Sequence, residues 1–185
     1  MTLDPRTPVI VGVGQHLHRA AGIDDALEPV ALMEQAVLAA SADAGIAGPP
    51  HADSIRVVGL LSRRYRNAAA RLAARLGIEP AELGYTSMGG NSPQSLVNAT
   101  SLDIQAGRLD VAILSGGEAW RTFMRARKAG VTLEWDKGES DPAPVIVGKE
   151  LEMNLPEETE RGIYMPVQVY PMFETALRAA AGRTV

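Results

Sequence analysis

Short β-branched runs alternate along this chain with longer stretches of helical spacing, and glycine or proline stands at most of the joins. Pro8 to Gly14 (Pro-Val-Ile-Val-Gly-Val-Gly) reads as a buried first strand ended by glycines. From about Glu28 to Ala44, Leu32, Met33, Ala36, Val37 and Ala40 recur on one helical face. Pro29 suits the first turn of that helix and Gly45 its stop. Residues 55–61 form a second strand, and Asn67 caps a short helix through Leu76, closed by Gly77. Residues 84–88 form a third strand, followed by a helix running from the Gly89–Gln94 turn to about Gln105. Residues 110–114 are a fourth strand, and a last helix covers about Val167 to Ala181.

Strands alternating with helices at this spacing predict an α/β fold, a mostly parallel mixed sheet with helices on both faces in α-β-α layers. Residues 1–185 are expected to form one domain of this kind. Residues 131–165 break the rhythm. They hold Trp135, a charged cluster (Asp136, Lys137, Glu139, Asp141) and Pro142, Pro144 and Pro156, and read as a long excursion over the surface. Excursions of that length bind something or are disordered.

Composition narrows the chemistry. There is no cysteine, which excludes disulfides, thiolate metal sites and a thiol nucleophile. The formal net charge of −4 gives no overall electrostatic attraction to nucleic acid or to an anionic membrane. No run approaches the roughly 20 apolar residues of a membrane span. Met1 to Arg6 carries Asp4 and Pro5 and does not read as a signal peptide, so a soluble, cytoplasmic protein is expected.

Met88 to Glu118 is the most informative segment. A strand enters a glycine pair, and the helix that follows presents small residues, Ser95, Asn98, Ala99, Thr100 and Ser101, a pattern that predicts burial on several sides. Asn91 or Ser92 is placed to accept from the first-turn amides, and Pro93 is preset for that turn. Gly89 and Gly90 allow a ligand or another backbone to come close. Together they make a helix N-terminus suited to an anion or to an oxygen that gains charge in acyl transfer. The simpler account of Gly89, Gly90 and Asn91 is a tight turn with a cap. Ser92 as a nucleophile would need a base that nothing nearby supplies, so a capping role is expected for it.

Gly116, Gly117 and Glu118 end a strand at the edge where open α/β sheets bind ligands, although Glu118 reads more simply as a helix-initiating acid. His16 and His18 share a face if extended. Only His51 is left to join them, so no metal site is expected. Gly12-Val13-Gly14 lacks the third glycine of a dinucleotide fingerprint.

Three blocks carry a family resemblance: Arg6 to Gly14, Arg66 to Ala73 (Arg-Asn-Ala-Ala-Ala-Arg-Leu-Ala), and Ile104 to Glu118 (Ile-Gln-Ala-Gly-Arg-Leu-Asp-Val-Ala-Ile-Leu-Ser-Gly-Gly-Glu). In order and spacing they resemble the N-terminal half of the thiolase superfamily, particularly the sterol-carrier-type thiolases and acetyl-CoA acetyltransferase-like proteins. The resemblance implies a thiolase-like half-fold and an acyl-CoA ligand. It also implies acyltransferase or carbon–carbon lyase chemistry in lipid metabolism, with Gly89, Gly90, Asn91, Ser92, Gly116, Gly117 and Glu118 lining the substrate site. Gly90 (or, with a shift of one, Gly89 or Asn91) falls where the family has its nucleophilic cysteine, and the family's other catalytic groups lie in a half that this sequence lacks. The implied substrate is a coenzyme A thioester, with no resident cofactor. Arg121, Arg125, Arg127 and Lys128 could meet its phosphates, though a solvated helix face is the commoner use of such a run. Thiolases pair through this half, so a homodimer, or pairing with a second thiolase-like or other subunit, is implied. A non-catalytic interaction subunit is the competing expectation, and a fragment of a longer enzyme the third.

Overall fold

The computed structural model describes residues 4–149, 152 and 154–184, so the first three residues of the N-terminal stretch and positions 150, 151 and 153 of the excursion lie outside it. Two compact units are present, Met1–Lys149 and Glu150–Val185.

The first unit is built on a parallel four-stranded sheet. Its elements run α1 (Pro29–Asp43), β1 (Ser54–Val57), α2 (Ala68–Leu76), β2 (Glu82–Thr86), α3 (Ser92–Gln105), β3 (Ala112–Ser115), α4 (Trp120–Ala129) and β4 (Val145–Val147). The strand order is β3-β1-β2-β4. Ser54 pairs with both Glu82 and Ala112, and Gly84 pairs with Val145. All four residues of the central β1 are buried, as expected of a parallel strand covered on both faces.

Alternation along β1 divides its two faces. Ile55 and Val57 join Val30, Met33 and Val37 of α1 and Leu72 of α2 in the hydrophobic core. Ser54 and Arg56 turn to the other face, where Arg56 reaches Thr100 and Asp103 of α3. Arg56 is 3% exposed. Its charge is matched by Glu82 at 2.8 Å and Asp103 at 2.5 Å, and its third arm donates to Thr100 at 3.0 Å. Burial works against the guanidinium, but the two carboxylates outweigh it and push its pKa up.

The α2 helix follows the sequence reading closely. Asn67 is extended (φ −147°, ψ 97°), so its Oδ1 can turn back and accept from Ala70 N at 3.1 Å, and Gly77 closes the helix in the left-handed region at φ +67°. The Asn67 Nδ2 donates to Pro142 O at 3.1 Å. That bond fastens the start of the excursion, as does Arg71, which pairs with both Asp136 and Asp141. Residues 131–149 are therefore strapped to α2 and end in β4 at the sheet edge.

The expected first strand is not formed. Residues 8–14 belong to no sheet, and Val9, Ile10, Val11 and Val13 are 66–81% exposed. The segment instead crosses α1: a Cβ on Gly12 would fall on the Ala40 carbonyl, and one on Gly14 on Ala36 O and Ala40 N. Val13 N donates to Asp43 Oδ2 at 2.9 Å. A β-branched run sets extended backbone, but a strand also needs a neighbour for its ladder. Here two glycines and the small side chains of Ala36 and Ala40 seat the run on a helix instead.

In the second unit, α5 (Pro156–Glu160) and α6 (Pro166–Ala180) contain no buried residue. Val167, Tyr170, Phe173 and Leu177 are exposed along α6.

Candidate functional site

At the carboxyl end of β2, two hydroxyl groups arrange the turn into α3. Thr86 Oγ1 accepts from Gly59 N at 2.9 Å and donates to Ser87 O at 2.8 Å. Ser92 Oγ also donates to Ser87 O, at 2.9 Å. Ser92 N closes a turn onto Gly89 O at 3.0 Å. A Cβ on Gly89 would press on Asn91 Oδ1 and Ser92 Oγ, whereas one on Gly90 would meet nothing within 4 Å.

Two expectations about this helix start need correction. Neither Asn91 nor Ser92 caps it with a side chain. Asn91 already has helical φ and ψ (−85°, −13°), which aims its side chain along the helix to Ser95 Oγ at 3.3 Å, and Ser92 spends its hydroxyl on Ser87. Nor is α3 buried on several sides. Only Ser92, Leu96 and Thr100 are buried, one residue per turn. The small polar residues that suggested an interior helix cover an outer face, with Ser95, Val97 and Asn98 exposed.

Beside this start, a cleft of about 430 Å³ opens between the ends of β1 and β3 and the first turns of α3. Val58, Pro93, Leu96, Val97 and Leu114 form apolar walls, and Gly59 and Ser115–Glu118 form the rim. Of the seven residues singled out from sequence, Gly116, Gly117 and Glu118 line the cleft. Gly89, Gly90, Asn91 and Ser92 do not, although their neighbour Pro93 does. Gly117 is needed for packing: a Cβ there would come within 3.0 Å of Met33 and 3.1 Å of Pro29 O.

Glu118 does not start a helix. The N-cap of α4 is Ala119, without a side-chain cap. The Glu118 carboxylate accepts from Leu61 N, and from Ser62 N at 3.0 Å, holding the loop after β1. Ser62 Oγ accepts in return from Ala119 N at 3.0 Å. Nearby, Tyr85 OH accepts from Leu60 N at 3.2 Å, and burial, aided by Glu118, pushes its pKa up, so it is a neutral phenol at physiological pH. The cleft thus offers an apolar chamber with a rim whose carboxylate is engaged by backbone amides. His16, His18 and His51 are exposed and none lines it.

Sequence reasoning missed the polar face behind the cleft. Arg56, Glu82, Thr100 and Asp103 form one network; its only signal is an arginine in mid-strand between Ile55 and Val57. Asp53 was missed too. Its Oδ2 accepts from Asp110 N at 2.8 Å and Val111 N at 2.9 Å, and these amides hold its pKa down. A larger depression, about 480 Å³, runs along α6 beside Pro166, Tyr170 and Glu174. It is one flank of a single helix, lined by residues of α6 alone. Among the described residues no group of three or more His, Asp or Glu could hold a metal ion, and no helix is long and apolar enough to cross a membrane.

No protein-family model matches the chain, and no curated protein matches it. Among solved structures, the crystal structure of a monomeric SCP2-thiolase like protein type 1 from Mycobacterium smegmatis is similar, at 33% identity and a TM-score of 0.51 over 61% of this chain. The chain spans 24% of the length of that protein. The parallel sheet with helices around it, together with this neighbour, gives the chain a thiolase-like α/β fold.

Proposed function

We propose that the chain binds the acyl end of a coenzyme A thioester in the cleft between β1, β3 and α3. The observation that carries the reading is the cleft's position and lining. Open parallel sheets bind ligands beyond the carboxyl ends of their strands, and this cleft joins apolar walls from Val58, Leu96, Val97 and Leu114 to a glycine-rich rim. The thiolase-like neighbour supports it. The first turn of α3, which reaches the cleft at Pro93, carries the positive end of the helix dipole that would stabilise charge on a thioester oxygen. With glycine at position 90 and no cysteine in the chain, no acyl-enzyme thioester can form here. Any turnover would use chemistry that needs no thiolate, such as retro-aldol cleavage of an acyl-CoA, with its base supplied from outside these residues.

Titration calorimetry with a series of acyl-CoAs, with coenzyme A alone as control, tests the reading. Binding that strengthens with acyl length and is lost in Val97→Asp supports it. Absence of binding across the series by the folded chain rejects it.

A second reading, a non-catalytic subunit that pairs with another thiolase-like chain, is favoured by the exposed run Val9, Ile10, Val11 and Val13. Size exclusion with light scattering tests it: a monomer at every concentration would count against self-pairing.

A further inference from the structure

The net charge of −4 conceals a local reversal of sign. From Ala119 to Leu133 there is no acidic residue, and α4 carries Arg121, Arg125, Arg127 and Lys128. Ala126, 2% exposed, fixes which side of α4 packs inward. At about 100° per residue, Trp120 and Met124 stand side by side on the opposite side, with Arg127 to one flank and Lys128 and Arg121 to the other. All five are exposed, Trp120 by 48% and Met124 by 42%. Trp120 is backed by Phe123 at a ring separation of 5.3 Å. Among the described residues, Arg121, Arg127 and Lys128 have no ion pair or side-chain hydrogen bond, while Arg125 is turned aside to Ala21 O at 3.1 Å. None of these cations lines the cleft.

We propose that α4 docks on the surface of an anionic phospholipid bilayer, with Trp120 and Met124 entering the headgroup layer and Arg121, Arg127 and Lys128 facing lipid phosphates. An apolar centre between cationic flanks on one helix is the pattern of a segment lying in a membrane interface. No residue of α4 lines the cleft or the α6 depression, which fits a plane better than an acidic peptide seated in a groove. Charges beyond the Debye length, about 10 Å at 0.1 M salt, are screened, so the local patch rather than the chain's net charge sets the contact. This inference stands independently of acyl-CoA binding. Because α4 starts two positions after Glu118, a docked helix would hold the cleft rim close to the lipid.

The test is flotation of the full chain with vesicles of phosphatidylcholine alone or with phosphatidylserine added. The expected result is flotation only with phosphatidylserine, lost at high salt. At about fivefold in partitioning per cation, Arg121→Gln, Arg127→Gln and Lys128→Gln together should weaken binding on the order of a hundredfold. In a Trp135→Phe background Trp120 is the sole tryptophan, and its emission should shift to the blue on phosphatidylserine vesicles. No flotation, equal flotation with neutral vesicles, or a triple variant that floats undiminished while its circular dichroism is native overturns the proposal. Binding of polyglutamate without binding of vesicles also overturns it and assigns the helix to an acidic protein.

Discussion

Glu118 and Ser62 fasten two loops reciprocally: the carboxylate accepts from Ser62 N at 3.0 Å, and the Ser62 hydroxyl accepts from the amide that follows Glu118, also at 3.0 Å. A glutamate lining an apolar cleft thus already has a structural occupation. Replacing it strands the amides of Leu61 and Ser62. Glu118→Ala should lower unfolding free energy by roughly 1–2 kcal/mol, read by urea denaturation, and Glu118→Gln should recover part of this loss. If both variants keep wild-type stability while losing acyl-CoA binding, the carboxylate serves the ligand and not the loops.

The buried, doubly paired Arg56 is costly to remove from the sheet. Arg56→Ala leaves Glu82 and Asp103 facing each other without their shared cation. Loss of a buried, paired charge commonly costs about 3 kcal/mol or more, and the urea midpoint should fall accordingly. A wild-type midpoint would show that α3 is held by Leu96 and its neighbours alone.

Acid should weaken the same region. Burial pushes Asp103 up, but Arg108 and Arg56 outweigh it and hold its pKa below the usual carboxylate range, and the amides of Val111 and Asp110 do the same for Asp53. A carboxylate whose folded pKa is depressed contributes stability above its unfolded value, near 4, and loses it as pH falls through the lower folded value. The urea midpoint is therefore expected to be flat near neutrality with respect to these groups and to drop below about pH 4. Asp103→Asn should be less stable at pH 7 and should show a shallower acid drop. Parallel curves for the two proteins would contradict the assignment.

Open space at Gly90 has a chemical use. A side chain there meets nothing within 4 Å, and the chain has no cysteine of its own. Gly90→Cys should fold normally and place one thiol beside the first turn of α3, where the helix dipole favours thiolate. Its alkylation rate against pH should give a pKa below the ordinary value of about 8.5. A thiol titrating at or above that value would mean that the turn does not favour negative charge.

At Gly12 and Gly14 the opposite holds, because a methyl group at either would collide with α1 backbone. Gly14→Ala should lift residues 8–14 from the helix, and exchange protection of the Val13 amide, bonded to Asp43, should be lost. Retained protection would mean that the helix yields instead.

These cases show which features a sequence exposes. Asn67 and Gly77 announced α2 because a cap and a left-handed stop depend on neighbouring residues only. The alternation of strands and helices survived for the same reason. Val9–Val13 misled because strand pairing depends on what stands alongside, which periodicity does not reveal. The small polar face of α3 misled similarly: Ser95 and Asn98 are as acceptable to water as to an interior. Arg56 was hidden because its partners lie 26 and 47 positions away.

The register of β1 has a consequence for how the molecule assembles. Ser54 pairs on one side with Glu82 and on the other with Ala112, 58 positions downstream (112 − 54). Parallel strands cannot be closed by a local hairpin, and pairings this distant fold slowly compared with local ones. Of the four strands β1 leaves the ribosome earliest, yet like β2 it is flanked on both sides in the finished sheet. During synthesis it must stay unaggregated, Arg56 still hydrated, until Ser115 has emerged and the second flank can be supplied.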